Sequence, residues 1–445
     1  MNVTRRGFLA ATGALALEVV RSGGLLAEIE RRTPPPAAKP ATWPGVKASF
    51  GLDPRYRHFA SFFIASHPKP VRDAIEAHRR ALDENPFLTV ERGLFESEAQ
   101  NVQLKVLADI APYLGAKPDE IALTQNTTTG LALVYAGLAL KPGDEVLVTT
   151  HDHYVHHECV RMLVERSGAS ARRVALYDRA AEASSGTIAE RLRGAIGPRT
   201  RVVGVTWVHS STGVRLPLRA IGEVVAAANR GRDEADRILL VVDGVHGLGA
   251  VDETIAETGC DFFSAGTHKW MFAPRGTGLL WGRPSAWARI RPTIPSFSDL
   301  GVYEAWMRGE SPTGPNTAGR TTPGGFQAYD HQWSVGAAFR WHELLGKARV
   351  AARIRELNAR CREGLAATKG VTVHTPKDPE LSAGLLAFEV NGLKPEQTVA
   401  RLLERRIVAS TSPYAVSYAR LAPSLVNDEA DVDAAIRELR SIATT

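Results

Sequence analysis

The stretch Asp261-Phe262-Phe263-Ser264-Ala265-Gly266-Thr267-His268-Lys269-Trp270-Met271-Phe272-Ala273-Pro274-Arg275-Gly276-Thr277-Gly278-Leu279 decides the fold. Asp261–Gly266 reads as a short buried strand, and a glycine-bearing turn leads to a second run, Gly278–Trp281. His268-Lys269 stands just past the end of the first strand. Upstream the pattern repeats. Strands are predicted at Ile121–Thr124, Glu145–Thr149, Arg172–Leu176, Val202–Thr206 and Ile238–Asp243. Helices are predicted between them at Thr128–Leu140, His156–Ser167, Ile188–Ile196 and Leu218–Asn229. Near-continuous apolar strands alternating with helices predict an α/β fold, whose large domain carries a mostly parallel seven-stranded sheet sandwiched by helices. Ligands of such sheets sit at the carboxyl ends of the strands. The residues able to do chemistry fall there.

Downstream, Pro292–Gly325 is rich in Pro, Gly, Ser and Thr and reads as a long irregular crossing. A long helix, Gln332–Thr368, broken near Gly346, opens the remainder. Strands at Val371–His374 and Gly384–Val390 and helices at Pro395–Arg405 and Asp428–Ile442 predict a smaller α+β C-terminal domain over 326–445. The N-terminal segment and large domain then span 46–325. At the N-terminus, Thr4-Arg5-Arg6-Gly7-Phe8-Leu9 is a twin-arginine pattern ahead of the apolar run Leu9–Leu17. It predicts an export signal over residues 1–27, the twin-arginine machinery as a partner, and a periplasmic or exported location. Residues 28–45 read as a Pro-rich tether.

Composition excludes several classes. The net charge of +6 is a mild excess for 445 residues, and no stripe of Lys and Arg suggests nucleic acid. No stretch approaches the roughly 20 apolar residues of a membrane span. Cys159, Cys260 and Cys361 lie far apart with no CxxC, which excludes a disulfide framework and a cysteine-based zinc site.

Three strings carry chemistry. Lysine attacks carbonyl groups to give Schiff bases once its pKa is depressed, and Lys269 stands at a strand end. At another strand end, Val242-Asp243-Gly244-Val245-His246 offers a carboxylate suited to a cofactor's ring nitrogen, with an imidazole three residues on. At a strand-to-helix turn, Thr124-Gln125-Asn126-Thr127-Thr128-Thr129-Gly130 offers hydroxyls and helix N-terminal amides to a phosphate. Taken singly, each has a plain structural reading as a surface lysine, a turn aspartate or a capping threonine.

Together these strings resemble the pyridoxal-phosphate-dependent fold type I enzymes of the class V aminotransferase family. The isopenicillin N epimerase-like and cysteine desulfurase-like branches come nearest. The likeness runs from about Ser66 to Arg440 and is carried by Asn126-Thr127-Thr128, Asp243-x-x-His246 and His268-Lys269-Trp270. It implies pyridoxal 5'-phosphate held by Lys269 as an internal aldimine. It implies Asp243 at the pyridine nitrogen, His246 at the ring hydroxyl and His153 stacked on the ring. Thr127, Thr128 and His268 match phosphate contacts. The family often has Ser three residues before the lysine, where this chain has Gly266; Thr267 is the candidate replacement. The resemblance also implies a homodimer with shared active sites, with Thr321 or Thr322 reaching the neighbour's phosphate. Arg420, in Tyr418-Ala419-Arg420-Leu421, matches the arginine that binds a substrate carboxylate.

The implied substrate is an amino acid or a peptide-like metabolite. The implied chemistry is epimerisation, transamination or a related reaction that begins with loss of the α-proton. Ile407–Tyr414, where desulfurases carry their catalytic cysteine, has none, so desulfurase activity is not expected. With its export signal the chain also resembles exported family members that tailor a pyoverdine-like siderophore. A non-catalytic binding protein on the same fold is the alternative from a different class. His151, His153, His156 and His157 cluster in sequence but lack the HExxH pattern, so no metal is expected. Gly244-x-x-Gly247-x-Gly249 lacks the spacing of a dinucleotide loop.

Overall fold

The computed structural model describes residues 42–96 and 100–444. The predicted export signal and most of the predicted tether lie outside the described residues. Among the described residues there are thirteen strands: β1 Arg57–His58, β2 Ile121–Thr124, β3 Glu145–Thr149, β4 Ser170–Val174, β5 Thr200–Thr206, β6 Leu239–Asp243, β7 Phe262–Gly266, β8 Gly278–Gly282, β9 Val371–Val373, β10 Leu386–Val390, β11 Ile407–Val408, β12 Ser410–Thr411 and β13 Ala419–Leu421. The longer helices are α1 Lys69–Glu84, α2 Val102–Leu114, α3 Thr127–Gly137, α4 Tyr154–Ser167, α5 Ser185–Ala195, α6 Leu218–Ala228, α7 Leu300–Met307, α8 Val335–Leu345, α9 Lys347–Ala366, α10 Pro395–Glu404 and α11 Glu429–Ala443.

The large sheet has seven strands in the order β2-β8-β7-β6-β5-β3-β4. Only β8 runs antiparallel to its neighbours. The central strands β6 and β7 are buried along their whole length, as expected for a sheet covered on both faces. The edge strand β4 is mostly exposed and carries Arg172 and Arg173. It begins two residues earlier than the apolar pattern suggested, because an edge strand has no second neighbour to demand an apolar run. Because the other strands share one direction, the segments that leave β2, β3, β5, β6 and β7 emerge along a single edge of the sheet.

The smaller lobe holds a four-stranded antiparallel sheet, β12-β13-β10-β9. Its core joins Leu357, Cys361 and Leu365 of α9 to Leu386 and Phe388 of β10 and Leu439 of α11. Phe59 belongs to this core, and β1 pairs in parallel with β11. The segment before the large sheet is thus tied to the C-terminal lobe, a pairing of two-residue strands that no sequence period announces.

The helix predicted over Gln332–Thr368 is broken where expected. Gly346 sits at φ 89°, a conformation that L side chains rarely adopt, and separates α8 from α9. The Pro292–Gly325 crossing is less irregular than expected, since it includes α7 and the short helix Ala318–Thr321. Among the described residues no helix is long and apolar enough to cross a membrane.

Candidate active site

The carboxyl edge of the large sheet brings together Thr127 after β2, His153 after β3, Ser210 after β5, Asp243 at the end of β6 and Lys269 after β7. Arg420 of β13 reaches this edge from the smaller lobe.

The amine of Lys269 lies 3.3 Å from Nε2 of His246. Burial pushes it down to about 8; Asp243 opposes that shift and Arg420 adds to it. Asp243 is buried, and its Oδ1 accepts a hydrogen bond from the Val245 amide at 3.1 Å. Burial pushes its carboxyl up, with the His156 imidazole pulling the other way. Burial also keeps His246 neutral, and the ring of Phe62 lies 5.7 Å from it.

At the head of α3, Asn126 caps the helix by accepting from the Thr129 amide at 2.9 Å. The Thr127 and Thr128 amides stand ahead of the first intrahelical bond, the Gly130 amide to the Asn126 carbonyl. The Thr127 hydroxyl accepts from the Gly266 amide at 2.7 Å, and the Thr127 carbonyl accepts from the Ser264 hydroxyl at 3.2 Å. These bonds fasten the helix N-terminus to the strand that leads to Lys269.

The glycine at 266 has a physical reason. A Cβ there would lie 2.9 Å from Cε1 of His268 and 3.3 Å from the Thr127 hydroxyl. The His268 ring occupies the space a serine side chain would need. Thr267, the expected replacement, turns its hydroxyl inward instead. It lies 2.6 Å from the Thr277 hydroxyl, which itself donates to the Pro274 carbonyl, so Thr267 is the donor of the pair.

His153 caps α4, its Nδ1 accepting from the Val155 amide at 3.4 Å. Burial, aided by Lys269 and Arg420, holds it near 4, so the ring is neutral at neutral pH. The other histidines of its string turn to different partners. His156 meets the Tyr135 hydroxyl at 2.6 Å in the core, and His151 stacks on Tyr177 at 4.0 Å. Among the described residues no group of three or more His, Cys, Asp or Glu could hold a metal ion.

Arg420 is buried. Its Nη1 donates to the Ser210 carbonyl at 2.7 Å, its Nη2 to the Thr411 carbonyl at 2.6 Å and its Nε to the Ser410 hydroxyl at 3.2 Å. The guanidinium lies 4.7 Å from the Phe62 ring centroid. Each terminal nitrogen keeps a second N–H for a carboxylate. Thr321 and Thr322 are not drawn into this cluster. Their hydroxyls donate to the Thr317 and Ala318 carbonyls, both at 3.0 Å.

The sequence reading missed Phe62, Ser210 and Tyr414. The Tyr414 hydroxyl lies 2.5 Å from that of Ser210, and its ring stands edge-on to His153 at 6.2 Å. Ser210 lies just beyond a strand end, and that position is the signal that could have found it.

The cluster is short of partners in a particular way. Nδ1 of His246 and Nδ1 of His268 are buried with no hydrogen-bond partner among the described residues. A buried carboxylate, a buried amine near 8 and a helix N-terminus stand in the same place. This donor set fits a phosphorylated aromatic aldehyde: an acid for its ring nitrogen, an amine for its carbonyl, and amides and hydroxyls for its phosphate. Fold and site together define a fold type I pyridoxal-phosphate enzyme.

The comparisons agree. The profile of the family "Aminotransferase class-V" matches residues 65–433, and the chain belongs to that family. Its cofactor is pyridoxal 5'-phosphate. The chain is 28% identical to an isopenicillin N epimerase from Streptomyces clavuligerus over 357 residues, covering 79% of this chain and 85% of the relative. It is 30% identical to a probable cysteine desulfurase from Pseudomonas aeruginosa over 293 residues, covering 64% of this chain and 66% of the relative. Among solved structures, a C-DES protein with glycine covalently linked to its cofactor matches with a TM-score of 0.77 and 23% identity, covering 88% of this chain and 98% of that one. An apo cysteine desulfurase from Thermococcus onnurineus matches at 0.75 and 20% identity, covering 90% and 97%. At these identities the structures support the fold alone.

Proposed function

We propose that this protein acts at the α-carbon or amino group of an amino acid or peptide-like metabolite, as an epimerase, an aminotransferase or an enzyme of related chemistry. One observation carries the reading: the buried Lys269 amine, poised near 8, stands against His246 and close enough to Asp243 and Arg420 to feel both charges. When bound, pyridoxal phosphate supplies an electron-withdrawing ring that stabilises negative charge at the substrate's α-carbon. The chain's residues do the rest. Lys269 would hold the cofactor, and its freed amine would take the α-proton on Nζ. Asp243 would pair with the ring nitrogen, His246 with the ring hydroxyl, and His153 would cover the ring. Thr127, Thr128 and His268 would hold the phosphate, and Arg420 would bind the substrate carboxylate.

Desulfurase chemistry is not proposed. The cysteines are buried, and the Cys361 thiol, in the core of the smaller lobe, is pushed up to about 12 by burial. The likeness to an isopenicillin N epimerase favours inversion of a stereocentre among these reactions. The sequence Thr4-Arg5-Arg6-Gly7-Phe8-Leu9 supports export of the folded enzyme to the periplasm. Fractionation of cells carrying Arg5→Lys with Arg6→Lys tests that part, and retention in the cytoplasm is the expected result. A homodimer is supported by apolar side chains exposed along the crossing, among them Phe297, Tyr303 and Trp306.

The test of the function is chemical. Purified protein is expected to be yellow, and borohydride should fix the cofactor to the Lys269 peptide. A colourless protein that takes up no added pyridoxal phosphate would refute the reading. A screen of amino acids and peptides against the yellow protein then identifies the substrate by spectral change.

A further inference from the structure

The order of the large sheet separates two groups that face the site. Lys269 follows β7, which lies on one side of β6 and its Asp243. Ser210 follows β5 and His153 follows β3, both on the other side of β6. Tyr414 is held on that second side. Its hydroxyl bonds Ser210 at 2.5 Å, and its ring meets the edge of His153. The same Ser210 accepts from Arg420 through its carbonyl at 2.7 Å. The phenol is therefore fixed beside the arginine that takes the substrate carboxylate, across the Asp243 strand from the lysine.

We propose that Tyr414 is a second proton-transfer residue of the site, paired with Lys269 across the substrate α-carbon, so that the enzyme inverts that centre. This rests on the function proposed above. In one direction the C–H bond breaks and its proton goes to Lys269 Nζ. A new C–H bond forms with the proton of the Tyr414 hydroxyl, which leaves as phenolate. One proton has moved from Tyr414 to Lys269, and exchange with water, through Ser210 on the phenol side, restores both. The opposite enantiomer uses the same two groups in reverse, starting from the phenolate and ammonium forms, which the same exchange with water supplies as a minor population. Burial pushes the Tyr414 phenol up to about 12, so it holds its proton at neutral pH and starts as the donor. The neighbouring loop is closed on itself, with the Tyr418 amide donating to the Ser412 hydroxyl at 2.9 Å and the Ser417 hydroxyl to the Ser412 carbonyl at 2.7 Å, which keeps the ring in place.

The test uses the yellow holoenzyme in deuterated water with a panel of L- and D-amino acids, following loss of the α-proton signal by NMR. Wild type should exchange both enantiomers of at least one amino acid. Tyr414→Phe should keep exchange of one enantiomer within a few fold and lose that of the other, and inversion, by at least about a hundredfold. Equal effects on both enantiomers, or a yellow wild type that exchanges only one or neither, would overturn the pairing. A colourless wild type refutes the underlying function, and this inference with it. A readout independent of turnover is the ultraviolet difference titration of wild type against Tyr414→Phe. It should show one phenol ionising near 12, and a phenol ionising at its ordinary value of 10.0 would place the ring in open water and count against the proposal.

Discussion

Lys269 holds an amine that is half neutral near pH 8, because burial removes the water that would solvate its charge. An ordinary lysine is half neutral only at 10.5. The rate at which apoprotein captures pyridoxal phosphate should therefore climb with pH up to about 8 and level off above it, as stopped-flow absorbance would record. A climb that continues toward 10.5 would mark an unperturbed side chain. Gly266 makes a second prediction. Because His268 fills the space beside it, Gly266→Ser should destabilise the holoenzyme by about 1–3 kcal/mol through overpacking. His268→Ala in the same chain should recover most of that loss. A double-mutant cycle on thermal unfolding reads the coupling, and strictly additive costs would show that the two side chains do not compete for one space. Arg420 is less separable. Its bonds to Ser210, Thr411 and Ser410 join the lobes' edges as well as shaping the site, so removing the side chain will cost stability as well as substrate affinity.

At the scale of elements, the joint between α8 and α9 is set by one residue. Gly346 adopts φ 89°, and Gly346→Ala should cost about 1–3 kcal/mol in urea unfolding, since an L side chain is strained there. Gly346 was legible in the sequence because it interrupts an otherwise helical pattern. The large-sheet strands were legible for a related reason: buried runs such as Leu239–Asp243 and Phe262–Gly266 have no polar face to confuse the pattern. The strand-end chemistry of Asp243 and Lys269 followed from them. Other parts were not readable. β1 and β11 are two residues each, too short for any period. Helices α1 and α2, which begin and cross prolines respectively, drew no prediction. The compensation between Gly266 and His268 is a matter of a few tenths of an ångström, and the meeting of Ser210 with Tyr414 spans 204 residues. Spacing along a chain carries neither.

For the whole molecule, buried imidazoles set a pH limit. Burial lowers His78 and His156 from 6.5 to about 4 and His342 to about 3. The unfolded chain therefore binds more protons than the folded one in the interval between these values and 6.5. The stability these groups confer is fully present above 6.5 and is lost as pH falls toward 4. Each contributes about 1 kcal/mol per pH unit within that window. The melting temperature should drop from neutrality to about pH 5, and His342→Gln should flatten the slope. An unchanged slope in that variant would show that the His342 imidazole is already protonated in the native protein. The Asp152 and Asp243 carboxyls, pushed up by burial, act in the opposite sense, so the comparison with the variant is the decisive measurement.

The pairing of β1 with β11 governs how the chain reaches this state. The Arg406 guanidinium bonds the Tyr56 hydroxyl at 2.6 Å across a separation of 350 residues, and the adjoining strands close beside it. Contacts that distant carry a large loop-closure entropy and form late. The α/β core can assemble from nearer neighbours, whereas β1 must wait for β11, about 350 residues further along the chain, to close the smaller lobe. A folding intermediate with a finished large sheet and a frayed lobe, Phe59 not yet docked, is the species that chaperones would meet first.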